Sequence, residues 1–163
     1  GSMPKLIKNE TIIENEWVTA EKDFSGELPD GKVFLPLAYY LENNSNFEPS
    51  SDIGVWLDSD ESPEPLTPHL EKLESIAINF PKFADGRGYS YARILRDRLS
   101  FKGEIRAIGD VLHDQMFFYK RCGFDAYAVR EDKDIEVALQ GLSDFSDSYQ
   151  VATDQPHPLF RRR

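Results

Sequence analysis

The stretch IAINFPKFADGRGYSYARILRDRLSFKGEIRAIGDVLHDQMFFYKRCGFDAYAV, residues 76–129, decides the fold of this chain. Three short and mostly apolar runs, Ile76–Phe80, Glu104–Ile108 and Ala126–Val129, alternate with two stretches of helical periodicity. Parallel neighbouring strands need a crossover connection, which is usually a helix. The alternation therefore predicts a βαβαβ unit built on a parallel sheet.

The same alternation continues on both sides of this unit. We predict strands at Val33–Leu35 and Ile53–Leu57, and a last helix after Asp134. The predicted fold is therefore α/β, with about five successive βα units in a mainly parallel sheet, arranged as a partial (βα) barrel or a three-layer sandwich. The polar residues Asn79 and Arg106 in central strands favour a barrel-like form with an open, partly polar lumen.

Three helices before that last one are predicted with defined starts or faces. One begins with Thr67 as its cap and Pro68 at its first position, and it buries the face Leu66, Leu70 and Leu73. The second covers residues 89–99, carries Ser90 in its first turn and buries Tyr91, Ala92, Leu95 and Leu99. The third is capped by Asp110 and is expected to be largely covered by other elements, because it is apolar over much of its circumference. Its apolar residues are Val111, Leu112, Met116, Phe117, Phe118 and Tyr119.

The length of 163 residues fits a single domain, which we place at residues 3–163. Gly1-Ser2 is interpreted as the remnant of an expression tag. Residues 3–30 are expected to form an N-terminal cover or a strand pair, and residues 146–163 an extended C-terminal tail with two prolines.

Composition and charge exclude several function classes. The net charge of −10 argues against nucleic-acid binding, which depends on Lys and Arg contacts with phosphates. No apolar run approaches the roughly 20 residues that span a bilayer, so we expect no membrane association. Cys122 is the single cysteine, which indicates a reducing and therefore cytoplasmic location. We expect its thiol to be packed and inert.

Ligands gather at the carboxyl ends of the strands in parallel α/β folds. The clearest candidate there is the turn at residues 85–88, which precedes a helix. Backbone N–H groups at a helix start attract anions, and Arg87 could grip a phosphate, sulfate or carboxylate with two hydrogen bonds. Alternatively, the glycines only shape a tight turn and Arg87 pairs with a nearby aspartate. The predicted anion site consists of Asp85, Gly86, Arg87, Gly88, Ser90, Asp110 and Gln115.

Other polar residues give weaker signals. Asp58 and Arg130 also follow predicted strands. His113 could act as a general acid or base, although a surface position beside a helix cap is the simpler interpretation. With one cysteine and three scattered histidines, the chain shows no metal-binding signature, and we predict no metal site.

Three segments resemble one known bacterial family. They are FPKFADGRGYSYARILRDRL (80–99), GEIRAIGDVLHDQMFFYKRCGFDAYAVRED (103–132) and PLFRRR (158–163), and they resemble the domain-of-unknown-function family 934. The similarity covers roughly residues 30–163. Members of that family are often labelled oxidoreductases involved in sulfite reduction, because their genes are associated with those of assimilatory sulfite reductase. No catalytic residues are established for the family, so the resemblance assigns none here.

The resemblance implies an accessory protein of assimilatory sulfite reduction, acting with sulfite reductase without a redox centre of its own. No cofactor is evident from the residues, with a flavin kept as an alternative. The alternative function is an enzyme or oxidoreductase that binds a small anion or a flavin at residues 85–90, so enzymatic activity stays open. A third interpretation is a scaffold that only self-associates.

The end of the tail is the predicted docking element of the accessory protein. Leu159 and Phe160 could anchor in a pocket, while Arg161, Arg162 and Arg163 meet carboxylates of the partner. The alternative is an unstructured chain end.

Overall fold

The computed structural model describes residues 5–46, 52–82, 86–111, 115–129, 135–140 and 142. Its strands are β1 (Lys5–Lys8), β2 (Thr11–Glu14), β3 (Trp17–Thr19), β4 (Lys32–Pro36), β5 (Ile53–Leu57), β6 (Ser75–Phe80), β7 (Glu104–Gly109) and β8 (Ala126–Tyr127). Its helices are α1 (Leu37–Asn43), a 3-10 turn (Asn44–Asn46), a 3-10 helix (Glu64–Lys72), α2 (Arg87–Arg93), a π-helical turn (Ile94–Arg98) and α3 (Met116–Cys122). Residues 135–140 and 142 are also helical.

All of these strands belong to one sheet, in the order β2-β1-β8-β7-β6-β5-β4-β3. Every neighbouring pair from β8 to β3 is parallel. Strand β1 pairs antiparallel with both β2 and β8. The prediction of a mainly parallel α/β sheet is therefore confirmed, and part of the N-terminal cover is the antiparallel pair β1–β2.

The sheet is strongly curled, which follows from its connectivity. Strands β2 and β3 form its two edges, yet only Asn15 and Glu16 separate them along the chain. A flat sheet with seven steps of about 4.8 Å would hold its edges roughly 34 Å apart. Three successive Cα–Cα distances span at most about 11 Å. The sheet must therefore bend until its edges approach each other.

The two faces of the curled sheet are covered differently. Alternate residues of β4–β7 on the outer face, such as Val33, Leu57 and Ile78, form one core with the helices. The inner face holds a separate small cluster of Phe34, Trp56 and Ala77, to which none of the helices described above contributes. Helices on one face only are typical of a partial barrel, whereas a three-layer sandwich has them on both.

The helices depart from the prediction in several places. The helix predicted from Pro68 is a 3-10 helix that begins at Glu64, because Pro65 is accepted near its start and Pro68 lacks the N–H that an α-helix interior needs. Its predicted face is confirmed, since Leu66 and Leu73 are buried. Asp110 is not the cap of α3, whose N-cap is Gln115.

Two further expectations, on α3 and on β8, are met only in part. Phe118 is 44% exposed rather than covered, because α3 buries Met116, Tyr119 and Cys122 and so turns Phe118 away from the core. Strand β8 is limited to Ala126 and Tyr127.

No helix among the described residues is long and apolar enough to cross a membrane.

Candidate functional site

The carboxyl ends of β6 and β7 lie side by side. In the parallel register of these strands, Phe80 pairs with Gly109. The backbone N–H of Asp110 donates to the carbonyl oxygen of Phe80 at 2.6 Å. The turn after β7 is therefore fastened directly to the last residue of β6, with Asp110 half-buried at this edge.

The glycine–arginine turn returns to the same edge. A Cβ atom at Gly88 would come within 2.8 Å of the Phe80 ring, so only glycine allows the start of α2 to pack this closely on the end of β6. Gly86 has a φ of +93°, which glycine adopts at little cost. The turns that carry Arg87 and Asp110 thus share one edge of the sheet, as their positions after successive parallel strands predicted.

The predicted anion-site residues differ in exposure. Arg87 and Ser90 are exposed, and Gln115 is exposed at the N-cap of α3. The other predicted residues and the docking tail lie outside the described part of the chain: Asp85, His113, Arg130, Leu159, Phe160, Arg161, Arg162 and Arg163. The function of these residues stays a prediction.

Helix α2 supports an anion less than predicted. It is α-helical for only seven residues before it continues as the π-helical turn, and its N-cap Gly86 provides no side-chain hydrogen bond. The dipole of a helix arises from aligned peptide units, so a short α-helix contributes little of it. Binding of an anion at this turn would therefore depend mainly on the Arg87 side chain.

Asp58 forms a second polar group at the same edge, after β5. Its carboxylate accepts hydrogen bonds from Asn79 Nδ2 at 3.1 Å, from the Ser59 backbone N–H at 2.8 Å and from Lys22 Nζ at 2.9 Å. Burial raises the pKa of Asp58, but the bonds from Lys22, Asn79 and Ser59 outweigh it, so the pKa lies below its usual value. Asp58 is therefore a charged carboxylate that accepts three hydrogen bonds.

Asn79 links this group to the end of β7. A Cβ atom at Gly109 would lie 2.3 Å from Asn79 Oδ1, so the amide side chain fills the space that glycine leaves. Asp58, Asn79 and Gly109 thus form a continuous row along the carboxyl-end edge of β5–β7. This edge, with the turns that carry Arg87 and Asp110, is called the rim below. The sequence singled out Asp58 and Asn79 separately, and the role of Lys22 gave no signal in the sequence.

The inner face of the sheet contains a buried ion pair. Arg106, only 2% exposed, donates from Nε to Glu104 Oε2 at 2.7 Å and from Nη1 to Asn15 Oδ1 at 2.9 Å. Glu104 also accepts from Ser75 Oγ and pairs with Lys8 Nζ, both at 2.9 Å. Burial raises the pKa of Glu104, but the bonds from Arg106 and Lys8 hold it below its usual value.

Aromatic rings complete the filling of the inner face. The Arg106 guanidinium lies 5.1 Å from the ring centroid of Phe34 and 5.7 Å from that of Trp17, and these two rings stack 4.3 Å apart. Trp56 Nε1 donates to the carbonyl oxygen of Ala20 at 2.8 Å. The prediction of a partly polar inner face is confirmed. The open lumen was a wrong expectation, because strand β3 and its neighbours bring aromatic side chains over the polar residues.

The Cys122 thiol and the possible metal ligands are further reactive groups. Cys122 is 2% exposed, and burial raises the pKa of its thiol even though Arg93 and Arg121 oppose this. This agrees with a packed thiol. Within the described ranges, no group of three or more His, Cys, Asp or Glu side chains is arranged to hold a metal ion.

Two aromatic residues near the rim were not predicted to belong to a site. Tyr89 packs on Phe80, with ring centroids 5.0 Å apart, and meets the exposed ring of Phe118 edge to face at 4.6 Å. Tyr89 is half-buried and lies two residues after Arg87 in the chain. The apolar character of the helix indicated only that it is largely covered, so only the packing of α3 against α2 could reveal this pair.

Comparison with known proteins gives one match. A family model described as "Bacterial protein of unknown function (DUF934)" matches residues 54–160. The matched range starts within β5 and contains both turns of the rim as well as Glu104 and Arg106. No curated protein and no solved structure matches the chain.

Proposed function

Because the chain belongs to the bacterial family of unknown function DUF934, we propose that it is an accessory protein of assimilatory sulfite reduction. In this proposal it acts together with sulfite reductase and carries no redox centre of its own. The three sequence segments that resemble the family motivate the link with sulfite reduction.

The filled interior of the sheet is the structural observation that supports this proposal. Trp17, Phe34, Trp56 and Arg106 occupy the inner face, where a partial barrel would otherwise offer a ligand cavity. The buried charges of Arg106 and Glu104 bind each other within β7. Arg106 also binds Asn15 and Glu104 binds Lys8, and these two contacts stabilise the attachment of the N-terminal segment. Because these inner-face side chains stabilise the fold, we place the functional contact of this proposal at the protein surface.

The docking element in this proposal is the chain end, with Leu159 and Phe160 as anchors. Arg161, Arg162 and Arg163 are a basic cluster in a chain whose net charge is −10, so they are the part suited to an acidic partner surface. Apolar anchors surrounded by charges are typical of the residues that dominate binding energy at interfaces.

Truncation after Gln155 is expected to reduce recovery of sulfite reductase by at least about tenfold in a pull-down, equivalent to about 1.4 kcal/mol. A matched variant with Arg161, Arg162 and Arg163 changed to Gln should lose part of the binding. The binding that remains should depend little on salt concentration, as expected of an uncharged contact. Equal recovery by the intact and the truncated chain would remove the docking role from the tail.

A second candidate function is the binding of a small anion or a flavin at the rim. The observation that favours it is the shared edge of the Gly86–Gly88 turn and Asp110. Lys22 balances the charge of Asp58 nearby, which lowers the electrostatic cost of an anion at this edge. The exposed ring of Phe118 beside Tyr89 offers an aromatic surface on which a planar ring could stack.

We expect one of sulfate, sulfite, phosphate, adenylylated sulfate or a flavin to raise the melting temperature of the wild-type protein. At ten times its dissociation constant, a ligand stabilises by about 1.4 kcal/mol, or roughly 3–6 °C. Arg87→Ala should abolish this shift. Arg98→Ala is the control, because Arg98 is exposed at the far end of the same helical segment. A shift that survives Arg87→Ala would place the ligand elsewhere.

A further inference from the structure

A groove of about 450 Å³ opens at the amino ends of β6 and β7, at the opposite end of these strands from the rim. One wall is the 3-10 helix and the residue that follows it, and the other is the segment that leads into β7. Its lining residues are Thr67, Leu70, Glu71, Leu73, Leu99, Ser100, Phe101, Lys102 and Gly103. This volume is within the range of small-molecule sites.

The second wall of the groove is held rigidly by Arg96. Its Nη1 donates to the carbonyl oxygens of Phe101 at 2.9 Å and Gly103 at 2.7 Å, and its Nε donates to that of Gly123 at 3.0 Å. A Cβ atom at Gly103 would meet the Glu74 carbonyl oxygen at 2.5 Å, so the wall packs tightly on the chain before β6. The groove is therefore preformed, and a ligand need not order it.

The floor of the groove is apolar, and its two margins carry opposite charges. Leu73 and Phe101 are buried in the floor, with Leu70 and Leu99 half-buried beside them. Glu71 and Lys102 are exposed, line the groove from different walls and make no salt bridge with each other within 4.0 Å. Neither of them pairs with another residue in the described part of the chain.

We propose that this groove binds a small zwitterion with an apolar body, namely a free apolar α-amino acid. Its ammonium group would meet Glu71, its carboxylate would meet Lys102, and its side chain would cover the leucines and Phe101. A simple anion would be repelled by Glu71 and a simple cation by Lys102. A purely apolar molecule would contact the floor alone, whereas an apolar zwitterion contacts both the floor and the two charged margins, so a zwitterion fits the lining best.

Calorimetric titration of the whole chain with L-leucine tests the proposal. 4-Methylpentanoic acid, which lacks the ammonium group, and 3-methylbutylamine, which lacks the carboxylate, are the matched probes. We expect saturable binding of L-leucine, at least about tenfold tighter than either probe. No saturation up to about 10 mM L-leucine, a concentration that detects even very weak sites, would overturn the proposal. Equal affinity for all three molecules would overturn it as well.

Two substitutions at the margins locate the ligand. Lys102→Gln and Glu71→Gln are each expected to weaken L-leucine binding by about tenfold, the typical effect of one lost charge-assisted hydrogen bond. Lys72→Gln and Glu74→Gln are the controls, since both residues are exposed neighbours outside the lining. All four residues are exposed, so the variants should fold as the wild type does, which circular dichroism checks. Undiminished binding in both margin variants would refute the proposed site.

Discussion

Arg106→Met is expected to lower the free energy of unfolding by about 3 kcal/mol, near the lower end of the range for breaking a buried ion pair. The change leaves the buried carboxylate of Glu104 without its shortest partner, at 2.7 Å, and removes the hydrogen bond to Asn15. The loss stays near the lower end because Lys8 and Ser75 still bind Glu104. Urea unfolding followed by tryptophan fluorescence measures the change, since Trp17 lies beside Arg106.

Two further variants separate the buried charge from other effects. Adding Glu104→Gln to Arg106→Met should restore at least about 1 kcal/mol, because the buried carboxylate that has lost its Arg106 partner is then neutral. Lys120→Met breaks the exposed ion pair with Glu10, 2.8 Å in length, and should cost no more than about 1 kcal/mol. If Arg106→Met cost as little as Lys120→Met, the interior ion pair would not hold the N-terminal strands in place.

Gly109→Ala is expected to destabilise the fold by about 2–5 kcal/mol, from backbone strain and overpacking together. Gly109 has a φ of +88°, which disfavours alanine. A Cβ atom there would also lie 2.3 Å from Asn79 Oδ1 and 2.6 Å from the carbonyl oxygen of Phe80. Relief of that contact requires Asn79 to move away from Asp58, so the row of polar groups along the rim should be disturbed.

Gly31→Ala is a matched control for this substitution. Gly31 has a similar φ of +86°, but nothing lies within 4 Å of the position that a Cβ atom would occupy. The control should therefore show only the strain, about 1–2 kcal/mol. Chemical denaturation of both variants gives the difference that belongs to the contact with Asn79 and Phe80. Equal destabilisation would mean that the rim at Gly109 is looser than the packing indicates.

Much of the fold follows from local patterns in the sequence. The run Ile76–Phe80 and the helical spacing of Leu66 and Leu73 correctly indicated a buried strand and a buried helix face. The position of each turn after a parallel strand placed the turns of Arg87 and Asp110 at one edge. These inferences succeed because strand and helix periodicity are properties of neighbouring residues, and because parallel strands all end on the same side.

Local patterns were less informative where several weak preferences compete. Pro65 and Pro68 close together turned a predicted α-helix into a 3-10 helix with an earlier start. Phe118 matched a helix covered on most sides, yet it is exposed because α3 packs against its neighbours through other residues. The groove at the amino ends of β6 and β7 has one wall from the 3-10 helix and the other from the segment before β7, so no single stretch of sequence could indicate it.

By itself, the sequence determined the central strands and the helices between them in outline, the largely parallel pairing and the family to which the chain belongs. Only the tertiary structure decided that the inner face is filled, that Arg106 meets Asn15 across 91 positions of the chain, and that Asn79 joins Asp58 to the end of β7. The physical reason is the curl of the sheet. Periodicity reports which face a residue occupies, whereas the curvature that brings opposite edges together arises from all strands at once.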